Sequence, residues 1–408
     1  MFTTLVRAAA LGAALLPALA DAAALTLNAA LDLAVARSES ARSAQAGVTS
    51  ARETSRAAGQ LPDPVLRAGI DNLPVTGPDR LNTTRDSMTM KRIGISQEWV
   101  SPEKRSARLA AAEAAVTREA AQADVAIADT RMQTALFYLD AYYAAAALRL
   151  TSLMEHHAHE ELEASKARLA SSVGGSQEVL ALLGAQAVAA DESADLQQQQ
   201  ASALIQLQRW VGVRVESVEP VTTMPLPSEE AYLSGNPTLI GMQRDVELAR
   251  QAAELAQTNR RPNWTWEVSY GQRTGYSDMV SIGVSVPIPL APAERQDRET
   301  AAKLALVVKA EADAVEATRS ATAEYRGLVN DIQRLSERVD RYRIGVAQVA
   351  EQRTAAALAS YRSNQSTLLT LFEARHAEVD AQRKLLTLQR DLAKTQARLV
   401  FRPIAGRT

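Results

Sequence analysis

The sequence predicts a mainly α chain with a small β part: long antiparallel coiled-coil helical hairpins, built as two internal repeats, with four short strands. Three observations carry this. The chain repeats itself at a fixed offset, it holds one stretch of about 70 residues with no helix-breaking signal, and four segments alternate apolar with polar side chains. The repeat is read from the heptad seam Met132, Leu136, Leu139, Tyr143, Ala146, Leu150, Leu153, which returns as Ala321, Tyr325, Leu328, Ile332, Leu335, Val339, Tyr342 (321 − 132 = 189). IGIS at Ile93 returns as IGVS at Ile282, and LASS at Leu169 as LASY at Leu358, at that same offset. The offset places Gly175 on Asn364, and no gap is needed over about 90 residues, which makes the chain two copies of one unit.

Residues 1–20, MFTTLVRAAALGAALLPALA, carry one arginine, an apolar run and an Ala18-Leu19-Ala20 site ahead of Asp21, the pattern of a secretory signal peptide. The apolar run is shorter than the ~20 residues a membrane helix needs. The first repeat is then expected over 21–220 and the second over 221–408. A helix is predicted from Leu27 to Gln60, where Leu61-Pro62-Asp63-Pro64 stops it. Two strands follow. Ser101-Pro102-Glu103 opens the long helix, with serine as N-cap and proline at the first position, and it runs to about Ser171. At ~1.5 Å per residue such a helix reaches ~105 Å. A turn at Ser172, Gly174, Gly175 and Ser176 leads to a return helix ending near Trp210. The second unit repeats the scheme, with Gly235-Asn236-Pro237 near its start, strands from Arg261-Pro262, a long helix from about Pro292, a turn at Ser363, Asn364, Gln365 and Ser366, and a return helix to about Val400. The short helices match the long one end to end and are expected to pack on it antiparallel.

The strands have one apolar face each. Leu66, Ala68 and Ile70 alternate with Arg67, Gly69 and Asp71; Ile93, Ile95, Gln97 and Trp99 with Arg92, Gly94, Ser96 and Glu98. Trp264, Trp266, Val268 and Tyr270 alternate with Thr265, Glu267 and Ser269, and the fourth segment sets Val280, Ile282, Val284, Val286 and Ile288 against Ser281, Gly283, Ser285 and Pro287. Such segments suit tilted membrane strands, apolar outward and polar inward, and Trp99, Trp264, Trp266 and Tyr270 suit an interfacial aromatic girdle. A half-buried soluble sheet is the other use of alternation. Four strands cannot close a barrel, since common small barrels have about eight, so a membrane reading requires closure between chains.

Composition narrows the function classes. A net charge of −2 offers no basic surface for nucleic acid, and the absence of cysteine excludes disulfides, thiolate catalysis and a lipidated N-terminal cysteine. No GxSxG, HExxH or phosphate-cradling glycine loop is present, which points to a protein that is not an enzyme and calls for no cofactor.

The leader, the twofold order of helix, strand, strand, long helix and return helix, and the segment YRSNQSTLLTLFEAR at 361–375 together resemble the TolC-like outer-membrane efflux factors over essentially the whole mature chain. Asn364 stands where that family usually has glycine. The segments LPDPVLRAGIDNLPVTG at 61–77 and IGISQEWVSPEKRSAR at 93–108 resemble the family's heavy-metal cation efflux branch, with Glu103-Lys104-Arg105 where that branch often shows Gly-Lys-Arg. The resemblance implies a homotrimer in the outer membrane of a Gram-negative bacterium, with a twelve-stranded β-barrel in the lipid and a periplasmic α-helical tunnel. It implies as partners a periplasmic adaptor (membrane-fusion) protein and an inner-membrane pump of the resistance-nodulation-division type. Heavy-metal cations are the implied cargo, with drugs or other small molecules as the alternative within the family. A periplasmic coiled-coil adaptor or scaffold is the reading from another class; it shares the leader and helices but has no use for apolar-faced strands.

The resemblance also places Thr370 and Glu373 where relatives narrow the inner tunnel end, so that three Glu373 side chains would form a gate ring, and it makes the two turns the adaptor-contact tips. In Met154-Glu155-His156-His157-Ala158-His159-Glu160, His156 with His159 or Glu160 shares a helix face and could bind a divalent metal, although a solvated face is the plainer use. Met88 and Met90 could contact soft cuprous or silver ions, or serve as packing.

Overall fold

A computed structural model describes residues 24–172, 174–221 and 224–404, so the leader sequence lies outside the described residues. The elements run α1 (Leu27–Arg37), α2 (Glu39–Ala58), β1 (Val65–Asp71), β2 (Met90–Trp99), α3 (Pro102–Ala170), α4 (Ser176–Val211), α5 (Glu229–Ser234), α6 (Pro237–Thr258), β3 (Trp264–Gln272), β4 (Met279–Ser285), α7 (Gln296–Tyr342), a π-helical turn over Arg343–Ala347, α8 (Gln348–Arg362) and α9 (Leu368–Phe401). Among the described residues no helix is long and apolar enough to cross a membrane.

α3 begins as its sequence requires. Ser101 Oγ accepts from Lys104 N at 3.2 Å with Pro102 in the first turn, and 69 residues follow without interruption, ~104 Å of helix. α2 and α4 lie along it, and so do α6 and α9, so one helix carries both repeats. The expected single helix from Leu27 to Gln60 is broken at Ser38. That residue leaves the helical region with ψ 113°, caps α2 by accepting from Ala41 N, and meets Thr130 Oγ1 of α3 at 3.1 Å. A side chain able to cap two ways lets the chain restart its helix at a new angle.

The core is thin and built of small residues. Ala30, Ala34, Tyr138, Ala141, Leu207 and Val211 form one cluster at the middle of the bundle. The Tyr138 hydroxyl there donates to Leu25 O at 2.6 Å and accepts from Glu219 N at 3.0 Å, clamping the segment before α1 to the stretch after α4. Burial pushes the Tyr138 phenol up to about 12, so it stays neutral. Met154, Leu162, Leu182, Leu368 and Phe372 fill a second cluster towards the hairpin turns.

The 189-residue offset does not hold at the turns. Ser171 Oγ donates to Ala167 O and Arg168 O, and Ser363 Oγ donates in the same way to Ala359 O and Ser360 O, an offset of 192 (363 − 171 = 192). The left-handed residues, Ser172 and Asn364, both at φ 61°, are also 192 apart. The counterpart of Asn364 is therefore Ser172, not Gly175, which is extended at φ −98°. The second hairpin has gained three residues between Tyr342 and its tip, and the π-helical turn at 343–347 accommodates an inserted residue without breaking the helix.

Candidate functional site

The four strands form one antiparallel sheet in the order β1-β2-β3-β4, with β1 and β4 as edges. The register brings the apolar side chains into rows across it: Leu66, Ile95, Val268 and Ile282 in one, Ala68, Ile93, Tyr270 and Val280 in the next. These rows face out. In the central strands Ile93 is 51% exposed and Ile95 42%, whereas Ser96 and Ser269 on the opposite face are 3% and 4% exposed; in the edge strands β1 and β4 both faces are open. In those central strands the polarity is the reverse of a soluble sheet, where the polar face meets water. Strand β4 ends at Ser285, so Val286 and Ile288 fall outside it, in a segment interrupted by Pro287 and Pro289 that cannot continue the ladder.

The inner face carries a charge network. Arg92 donates to Asp71 at 3.0 Å and to Glu267 at 3.1 Å, and Arg67 reaches Glu267 at 3.4 Å. A Cβ on Gly94 would stand 2.6 Å from Ser269 Cβ, so the close approach of β2 to β3 on this face needs glycine. Trp99 and Trp264 pack at 5.8 Å between centroids, tilted by 34°, where the strands meet the helices, Trp266 is half-buried one row further, and Tyr270, towards the other end, donates to Asp278. From Trp264 to Tyr270 is ~20 Å of strand.

Where sheet joins bundle, Lys104 is buried and its ammonium donates to Arg261 O at 3.3 Å and Asn263 Oδ1 at 3.1 Å, while Asn263 donates to Glu98 at 2.7 Å and Arg261 pairs with Glu103. Burial, with help from Arg108, pulls the Lys104 ammonium down from its ordinary range. Glu103 and Lys104 of the motif Glu103-Lys104-Arg105 thus tie the start of α3 to the turn before β3.

At the far end the two tips lie side by side. Leu368 N at the start of α9 donates to Glu178 of α4 at 3.1 Å, one hairpin supplying a capping acceptor to the other. Thr367 caps α9 by accepting from Thr370 N, and the Thr367 and Thr370 hydroxyls stand 3.1 Å apart. Thr370 and Glu373 are exposed on the face of α9 opposite Leu371 and Phe372. His156 and His159 are not brought together. His156 and His157 both turn to Glu160, each at 3.3 Å, and His159 meets Gln186 of α4 at 3.2 Å. Met88 is exposed, while the Met90 sulfur would stand 2.8 Å from a Cβ on Gly271, a packing position.

One buried ion pair has no signal in the sequence. Glu161 of α3, 4% exposed, accepts from Arg375 of α9 at 2.5 Å, and its second carboxylate oxygen has no partner. Burial raises the Glu161 carboxyl to about 7, outweighing the attraction of Arg375. Nothing in α3 marks Glu161 apart from its other glutamates, because its partner lies 214 residues away.

No family model and no curated protein matches the sequence. Solved structures do match the fold. The outer membrane protein VceC of Vibrio cholerae superposes with a TM-score of 0.75 at 19% identity, over 92% of this chain and 95% of its own. The outer-membrane channel OprN gives 0.76 at 15% over 92% and 91%, and the Campylobacter jejuni CmeC outer membrane channel 0.77 at 13% over 92% and 85%. The chain has the fold of these outer-membrane channel proteins, and it matches them over nearly its whole described length.

Proposed function

We propose that this chain is one protomer of a homotrimeric outer-membrane channel that serves as the exit duct of a tripartite efflux system. The sheet carries the reading: its apolar face is exposed, the polar face of its central strands is shielded, and β1 and β4 stand as edges able to pair. The aromatic pair Trp99 and Trp264, with Trp266 and Tyr270, forms the lipid-headgroup girdle of the barrel. α7 supports the oligomer, since Val308, Val315 and Val329 recur at sevens along it and remain exposed, as an interface in wait of another chain would. A periplasmic coiled-coil adaptor would account for the helices but leave this sheet unexplained.

The tips around Ser172 and Asn364 meet the adaptor, with an inner-membrane pump of the resistance-nodulation-division type behind it, and Glu373 with Thr370 lines the narrow end of the tunnel. Heavy-metal cations are the cargo the segments 61–77 and 93–108 favour. The residues 1–20 supply the export signal, and 21–220 and 221–408 the two repeats. Native mass measurement of the detergent-extracted protein tests the assembly. A trimer is expected, and a monomer that remains soluble without detergent would sink the channel reading.

A further inference from the structure

The histidine run singled out by sequence does not gather a set of ligands, but the fourth histidine, His376, lies beside two carboxylates. Glu192 of α4 and His376 and Asp380 of α9 are a group of three in which one ligand atom from each lies within 4.8 Å of the others. His376 Nε2 stands 3.6 Å from Asp380 Oδ2. That separation is too long for a hydrogen bond, yet two ligands on one tetrahedral zinc, each ~2.0–2.2 Å from the metal, stand ~3.3–3.6 Å apart. The imidazole is otherwise unspent: Nδ1 is shut from water without a partner, and the ring stacks on Phe372 at 5.8 Å with 16° between planes, which holds its orientation.

We infer that Glu192, His376 and Asp380 form a binding site for a borderline divalent cation such as Zn²⁺, with three protein ligands of the His and carboxylate type and a fourth position open to water. A cation is already drawn to this place. Arg383 Nη1 lies 2.9 Å from Glu192 Oε2 and 3.7 Å from Asp380 Oδ1, so one guanidinium is shared between two carboxylates, leaves a net negative charge there and ties α4 to α9. A divalent ion displaces the Arg383 guanidinium from the carboxylates and ties the same two helices through stronger bonds. The site stands on α4 and α9 alone and does not require metal to be the exported cargo.

Zn²⁺ titrated against a chromophoric chelator into the detergent-purified full chain tests this, in a His156→Ala, His157→Ala, His159→Ala background that removes the competing histidines. One ion per protomer is expected. His376→Ala and Glu192→Gln should each weaken binding at least about tenfold, since even outer-shell losses commonly cost that much. Arg383→Gln should tighten it several-fold, because the resident cation is gone. In the unmutated chain Zn²⁺ should shield His376 from diethylpyrocarbonate, read by peptide mass spectrometry, a measurement that does not depend on any variant folding. Affinity unmoved by His376→Ala, affinity lowered or unmoved by Arg383→Gln, or undiminished modification of His376 under saturating Zn²⁺ would each overturn the assignment.

Discussion

At the scale of single residues, Glu161 shows burial and charge pairing in competition. Its carboxyl is raised to about 7 in the fold, against 4.5 ordinarily, so between those values the folded chain holds a proton that the unfolded chain has lost. The stabilising share of Glu161 is therefore complete below about pH 4.5 and is lost as pH rises through about 7. Glu161→Gln should flatten the fall in thermal midpoint between pH 5 and pH 8, and a fall as steep as that of the wild type would show that another group is responsible. Glu373 is a different case, because the proposed gate ring depends on copies of it from other chains. In the proposed trimer, three Glu373 side chains around one axis would favour cations in a narrow aqueous pore while contributing little to the helical seam. Glu373→Gln in planar bilayers should lower cation selectivity, with oligomer yield near wild type. Selectivity unchanged from pH 4 to 8 would return Glu373 to the role of a solvated side chain. The residues the sequence could not disclose are those whose partners are distant: Glu161 with Arg375, and His376 with Glu192, meet only because α9 lies beside α3 and α4. The histidines it did disclose were conspicuous through sequence proximity, which says nothing about where imidazoles point.

At the scale of elements, helices and strands were legible because periodicity and punctuation are local. Ser101-Pro102 starts α3, glycine and serine mark the turns, and alternation defines the strands, all within a few residues. What escaped was non-local or subtle: the break at Ser38, stabilised by Thr130 of another helix, and the insertion in the second hairpin that a π-helical turn helps to absorb. The strands yield a prediction in which neighbouring residues respond oppositely. Ile282 faces out at 78% exposure and Ser281 faces the polar side. If the outer face meets lipid, Ile282→Lys should destabilise by about 2–4 kcal/mol near the bilayer midplane and Ser281→Lys by far less, measured by urea unfolding in lipid vesicles. A soluble sheet gives the reverse, with Ile282→Lys neutral or helpful to solubility. The tips yield another. Since Ser172 and Asn364 occupy equivalent left-handed positions, photocrosslinkers at both should capture the same adaptor, and capture from the exposed Arg295, at the opposite pole of the helices, would contradict the proposed polarity.

At the scale of the whole molecule, the proposed channel makes one chain an incomplete object, with a sheet whose two edges must pair elsewhere. Its four strands alternate in direction, so β4 of one copy can pair with β1 of the next as a continuing antiparallel ladder, and in the proposed trimer three copies would make a closed sheet of twelve strands, within the even-numbered range of outer-membrane barrels. The absence of native cysteine makes this closure directly measurable. Ala68→Cys on β1 faces the same side of the sheet as Val280, Ile282 and Val284 on β4, as the cross-strand register shows. Outward residues step ~7 Å along a strand, so combining Ala68→Cys in turn with Val280→Cys, Ile282→Cys and Val284→Cys samples the registers open to the seam. In at least one pair the Cβ atoms should come within the ~3.5–4.5 Å a disulfide needs. That pair, oxidised in membranes and run in denaturing gels without reductant, should give linked dimers and trimers, and the ladder should stop at three because the ring is then closed. Monomers throughout the panel would reject pairing between β4 and β1, and species beyond three would mean a larger ring or an open assembly.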